Sequence, residues 1–132
     1  MQKTDYAEGK VLKFLSEEHI DADSLQTFPY SGLKQVIQYE TREFSAVCPF
    51  SGLPDIAYIN MCYVPDQLIL ELKSLKYYFM SYRSVGIYQE HVTHRVFQDI
   101  WNTLNPQYLR VETIYNTRGG IDATCHIEKG KM

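Results

Sequence analysis

Cys48 and Asp55 are the first residues along this chain whose types and spacing point to chemistry. Cys48 opens the run Cys48-Pro49-Phe50-Ser51-Gly52-Leu53-Pro54-Asp55. Two prolines and a glycine give that run fixed turns and bar it from the interior of a helix or strand. A loop of this kind can present a side chain to a ligand. Cysteine is the strongest intrinsic nucleophile among the side chains once some thiolate is present. Asp55 lies beyond Gly52 and Pro54, so the loop can fold it back toward the sulfur. The alternative, which spacing alone favours, is a buried, inert thiol beside a turn-forming aspartate.

A second group of candidates is cationic. Lys73 and Lys76 fall three apart in Glu71-Leu72-Lys73-Ser74-Leu75-Lys76-Tyr77-Tyr78. On a first helical turn they share one face. Two ammonium groups there suit a phosphorylated ligand, as does Arg118 in the turn Arg118-Gly119-Gly120. The plainer alternative is a solvated basic face. Glu90 can accept two parallel N–H bonds, such as a guanine-like ring edge offers; otherwise it is a first-turn glutamate favoured by the helix dipole. His91 and His94, and the adjacent Cys125-His126, are possible metal donors, but no third ligand stands at a recognised spacing. No Walker loop or Gly-x-Gly-x-x-Gly run is present, so a Rossmann turn does not hold any nucleotide.

These residues need elements to position them. Residues 1–33 read as an irregular arm, with Val11–Leu15 a short helix or turn. Gln35 to Val47 partly alternates and favours strand, and the Cys48 loop follows. Ile56 to Val64 is a second strand, Pro65-Asp66-Gln67 a turn, and Leu68 to Leu72 the returning strand of a hairpin. Leu75, Tyr78, Phe79 and Tyr82 then fall at helical spacing. After a break at Gly86, the four-residue spacing of Val92, Val96, Ile100 and Leu104 defines a second helix, widened by Phe97 and Trp101. Asn105-Pro106 ends it. Tyr108 to Tyr115 alternates with Leu109, Val111, Thr113 and Tyr115 on one face, and Ile121 to Ile127 is the last strand. Strands flanking two consecutive helices indicate an α+β domain, an antiparallel sheet with both helices on one face.

The 132 residues suit a single domain spanning 1–132. The composition, 45% hydrophobic and 22% charged, excludes a disordered chain, a collagen-like fibre and a coiled coil. A net charge of -3 provides no global attraction to nucleic acid or anionic lipid. No apolar run is long enough to span a membrane, and Met1 to Lys10 lacks the pattern of a signal peptide. Three cysteines without a Cys-x-x-Cys pair fit reduced thiols and a cytoplasmic protein. The abundance of aromatics, 11 Tyr, 6 Phe and 1 Trp, suggests large contact surfaces, and oligomerisation is expected to cover any second apolar face of the sheet.

Taken together, the motifs resemble the NADPH-dependent 7-cyano-7-deazaguanine reductases (QueF), the nitrile reductases of queuosine biosynthesis. Glu71 to Tyr78 matches that family's signature Glu-(Ser/Leu)-Lys-(Ser/Ala)-hydrophobic-Lys-(Leu/Tyr)-aromatic at every position. The Cys48–Asp55 loop, Glu90 and Arg118-Gly119-Gly120 extend the match over roughly residues 39–127. The short length resembles the single-module type of the family. The resemblance implies a tunnelling fold (T-fold), whose subunits join their sheets into a barrel-like ring that stacks on a second ring, with active sites at subunit interfaces. It implies that Cys48 adds to the nitrile carbon as a covalent thioimide and that Asp55 handles the proton. It implies that Leu70, Glu71, Leu72, Gln89 and Glu90 bind the deazapurine. It further implies that Leu72, Lys73, Lys76, Arg118 and Gly119 contact NADPH, that two NADPH are consumed per turnover, and that no metal is required. Many members have His immediately before the substrate-binding glutamate; here Gln89 can hydrogen-bond but cannot titrate near neutral pH. The fold also admits a zinc-dependent pterin- or purine-handling cyclohydrolase, or a purine-binding oligomer without catalysis.

Overall fold

The computed structural model describes residues 12–132. Its centre is an antiparallel sheet in the order β2 (Ile37–Val47), β3 (Pro54–Val64), β5 (Tyr108–Tyr115), β6 (Thr124–Gly130). A second, two-stranded sheet pairs β1 (Thr27–Pro29) with β4 (Leu68–Leu70). Two helices, α1 (Leu72–Met80) and α2 (Gln89–Leu104), lie between β4 and β5 in the chain. The α+β class and the antiparallel sheet are as expected from the sequence.

Period decides what is buried. Val92, Val96, Ile100 and Leu104 of α2 are all sealed from solvent, the result of a four-residue apolar stripe on a 3.6-residue helix. They meet Ala57, Ile59 and Met61 of β3 and Leu109 and Val111 of β5 in one core, with Leu75 and Tyr78 of α1. Both helices therefore cover the same sheet face. Replacing Ile100 with alanine removes a fully buried side chain and is expected to cost about 2–5 kcal/mol, readable as a lowered urea midpoint with an unchanged slope. Asn105 takes a left-handed conformation (φ 46), and its N–H bonds the Trp101 carbonyl at 2.8 Å, which ends α2 just before Pro106.

Much of the aromatic surplus is core. Tyr63, Tyr78, Tyr82, Tyr108 and Tyr115 are buried. Tyr78 donates to Asp99 Oδ2 at 2.6 Å and accepts from Tyr82 at 2.7 Å, while Arg95 Nε bonds the same carboxylate oxygen at 2.8 Å. Such a chain gives buried hydroxyls the partners they need. The sheet face turned away from the helices is mostly polar, with Ile56 and Ile114 exposed toward one end. Gln38 bonds Asn60 at 3.0 Å, Tyr108 bonds Glu128 at 2.6 Å and Arg110 bonds Glu112 at 3.3 Å. It is not a second apolar face awaiting cover.

Three local expectations are corrected. The Leu68–Leu72 segment forms no hairpin with β3, because β3 already pairs with β2 on one side and β5 on the other and has no free edge. The short β4 turns instead to β1, anchored by the Leu70 N–H on the Tyr63 hydroxyl at 3.1 Å; it ends at Leu70, Glu71 is the N-cap and Leu72 begins the helix. The arm is not wholly irregular. It carries β1 and two short 3-10 turns, Glu17–His19 and Ala22–Ser24, and Leu15 bridges Val85 in extended form where a helix or turn is expected. Residues 1–11 of the arm, with the absent signal pattern read there, lie outside the described part. The last strand starts at Thr124 rather than Ile121, because Arg118 and Ile121 bond each other's backbone at 3.0 Å and keep Ile121 in the turn.

Candidate active site

The Cys48 loop leaves the end of β2 and is closed on itself. The Cys48 N–H bonds the Leu53 carbonyl at 2.9 Å and the Gly52 N–H bonds the Cys48 carbonyl at 2.8 Å. Gly52 sits at φ 75 with the Leu12 backbone packed against it, so only glycine fits there. Val47 is also bridged to the segment after α1: its N–H bonds Val85 at 2.9 Å, and the Ile87 N–H bonds the Val47 carbonyl at 3.0 Å. That bridge sets the loop beside Tyr88, Gln89 and Glu90, where α2 begins. Thr93 fixes the first turn of α2, bonding the Gln89 carbonyl at 3.2 Å and the Thr113 hydroxyl of β5 at 2.6 Å.

Asp55 is the second residue of β3 and stands opposite Ala46, two residues before Cys48. It is buried, at 6% exposure. The β5–β6 turn arches over it: the Asn116 N–H bonds the Ile56 carbonyl at 3.2 Å, and the Arg118 guanidinium forms an ion pair with Asp55 Oδ1. Burial pushes the Cys48 thiol up. The Phe50 and Ser51 backbone N–H groups, the Ser51 hydroxyl and the Arg118 charge outweigh that, and the thiol ends below its ordinary value. Cys62, by contrast, is raised by burial, only partly offset by Arg110. Of these two thiols, Cys48 is the one whose surroundings favour the thiolate. Cysteine, buried carboxylate and arginine together can add a thiolate to an electrophilic carbon and manage the accompanying proton.

The remaining candidates lie elsewhere in the chain. Leu70 is buried, so only its backbone can serve a ligand. The Glu71 carboxylate caps α1, accepting from the Lys73 N–H at 2.9 Å and the Ser74 N–H at 2.8 Å. Leu72 is exposed, and with Lys76 it rims a cavity of about 210 Å³ floored by Ile59 and Met61 and flanked by Tyr39 and Thr41. Thr41 and Cys48 lie at opposite ends of the outer half of β2, on the order of 20 Å apart at ~3.3 Å per strand residue. Within one chain, Leu70 to Lys76 therefore do not meet Cys48, Asp55, Glu90 and Arg118. Lys73 and Lys76 are exposed, and among the described residues neither joins an ion pair. Gly119 and Gly120 hold positive φ, 59 and 78, with open space around them. Free ammonium groups and an open glycine turn fit a phosphate-bearing cofactor. Among the described residues no three His, Cys, Asp or Glu side chains cluster as a metal site.

Two features at the Cys48 end are not anticipated from the sequence. Phe50 and Tyr88 expose their rings, at 83% and 53%, on either side of the bridge between loop and helix. A phenylalanine at the tip of a Pro-bounded loop is the only local hint of them. The Arg118–Asp55 pair joins residues far apart in the chain, and no spacing rule announces it.

The comparisons concern the chain as a whole. The family model described as QueF-like protein matches residues 54–132. Curated proteins from Thermotoga maritima and Thermotoga petrophila, each an NADPH-dependent 7-cyano-7-deazaguanine reductase, are 51% identical over 92% of this chain and 89% of their own length. One of the same name from Caldicellulosiruptor bescii is 46% identical over 79% of this chain and 81% of its own. The crystal structure of the archaeosine synthase QueF-Like in the apo form superposes with a TM-score of 0.66, covering 78% of this chain and 99% of that one. At 21% identity it speaks to the fold alone. The chain is an α+β protein, with Cys48, Asp55 and Arg118 at one end of its sheet. It belongs to the QueF family, whose matched relatives are reductases.

Proposed function

We propose that this protein reduces the nitrile of 7-cyano-7-deazaguanine to the 7-aminomethyl amine in queuosine biosynthesis, a tRNA-modification pathway, using two NADPH per turnover. The observation that carries the proposal is the placement of a lowered-pKa Cys48 thiol beside the buried Asp55–Arg118 pair, in a chain half identical to named reductases. The Cys48 sulfur bonds the nitrile carbon while one π bond of the nitrile opens onto nitrogen. The thiol proton reaches that nitrogen through Asp55, leaving a thioimide. When bound, NADPH supplies hydride. After hydride and a proton have been added to the thioimide, the carbon–sulfur bond breaks and one N–H proton passes to sulfur, freeing the Cys48 thiol and an imine. A second hydride and a proton complete the amine, four electrons in all.

Glu90, on an exposed first turn held by Thr93, pairs with the guanine-like edge, with Gln89 beside it as a hydrogen-bonding rather than a titrating group. The exposed Phe50 and Tyr88 rings suit a flat heterocycle or a neighbouring subunit. Lys73, Lys76, Arg118 and Gly119 hold the cofactor phosphates, with Leu72 against its apolar part.

The distance between Leu70–Lys76 and Cys48 within a chain supports the interface reading: one copy provides Cys48, Asp55 and Glu90, and its neighbour the α1 end. Subunits joined as a T-fold ring, two rings stacked, bring the halves together. Two edge strands, β2 and β6, are available for joining sheets. Among the described residues no helix is long and apolar enough to cross a membrane, and cytoplasmic work on a small deazapurine, without direct contact to nucleic acid or membrane, fits this reading. Intact-mass spectrometry of the protein with the nitrile and no NADPH tests it. A single adduct of the nitrile's own mass, mapped to the Cys48 peptide, is expected; an unmodified Cys48 at saturating nitrile contradicts it.

A further inference from the structure

We propose that Arg118 is a positioning residue for the covalent step, holding Asp55 in place beside Cys48 before any nicotinamide binds; this rests on the reductase reading above. Asp55 Oδ1 is sealed from water, and no other described group gives it a hydrogen bond. The Arg118 guanidinium is the cation that meets it. A buried carboxylate keeps its charge only with such a partner. Arg118 itself is 44% exposed at the side chain, so its own charge stays solvated and is cheap to maintain.

The backbone explains why Arg118 can reach. The turn is pinned at its root by Asn116 on the Ile56 carbonyl and closed by the reciprocal Arg118–Ile121 bonds, while Thr117 bonds Asp122. The side chain is thereby aimed back over the head of β3. Among the described residues, charged groups near this end include Arg118 from the turn, Asp55 from β3, Glu90 from α2 and Lys13, next to the Leu12 backbone that packs on Gly52. Asp122 is engaged by Thr117 within the turn. Arg118 is the cation whose field reaches the Cys48 sulfur and lowers it. One guanidinium thus bears on both the nucleophile and the proton carrier, and neither task involves hydride. A role confined to cofactor phosphate would leave the covalent step untouched.

The test measures adduct formation without NADPH, across pH, in the wild type, Arg118→Gln and Arg118→Lys, alongside Cys48 alkylation by iodoacetamide. For Arg118→Gln, nitrile adduct formation at neutral pH is expected to slow about tenfold. Both pH profiles should move to higher pH. Arg118→Lys restores the alkylation profile, because it keeps the charge, but only part of the adduct rate, because it lacks the planar fork. Wild-type adduct rates and pH profiles in Arg118→Gln, with only the KM for NADPH raised, would overturn the inference. Failure of the wild type itself to form the adduct would instead overturn the reductase reading. The side chain lies outside the core, and the thermal midpoint of each variant separates a folding defect from a catalytic one.

Discussion

Alanine in place of Cys48 is expected to abolish nitrile reduction, by at least about 10⁴-fold in kcat, the scale seen when a covalent nucleophile is removed. Without sulfur on the carbon, hydride would have to add to the nitrile itself. The loop should survive the change, since its closing bonds run between backbone groups of Cys48, Gly52 and Leu53. Stability is therefore expected to shift by less than about 1 kcal/mol. Steady-state NADPH oxidation with the purified variant reads the rate, and its thermal midpoint confirms the fold. A fully active Cys48→Ala protein would remove the covalent mechanism.

Asparagine in place of Asp55 is the second large effect. The amide fills the same space and can still accept from Arg118, but it carries no acidic proton. Reduction is expected to fall by about 10²–10⁴-fold, the usual worth of a positioned acid–base group. Binding of the nitrile should persist, because the proposed recognition by Glu90 and Gln89 does not use Asp55. Calorimetric titration of the variant with the nitrile, next to its turnover, separates the two. Unchanged kinetics would remove Asp55 from the chemistry.

What the chain shows of itself divides by range. The α2 stripe and the alternation in β5 are visible because each is a short-period pattern fixed by local backbone geometry. The loop after Cys48 is visible because Pro49 and Gly52 punctuate it, but its expected end is wrong: Pro54 and Asp55 already belong to β3, paired with Val47 and Ala46, since a proline is tolerated at the first residue of a strand. β1 is too short to show a period, and Pro29 within it argues against a strand. The partner of β4 is set by which edges remain free, a property of the finished sheet. The Arg118–Asp55 pair and the distance from Lys73 to Cys48 are likewise three-dimensional. Glu71 shows how one residue supports two readings: the structure uses its carboxylate as a helix cap, a task that a signature motif cannot distinguish from ligand binding.

The most direct measurement mixes limiting 7-cyano-7-deazaguanine with excess NADPH and follows the nicotinamide absorbance to completion. Four electrons separate nitrile from amine, so two NADPH should disappear for each nitrile added. No NADPH consumed, despite tight binding of the nitrile, would contradict reduction altogether; one NADPH per nitrile would contradict the imine as an intermediate carried forward within the site.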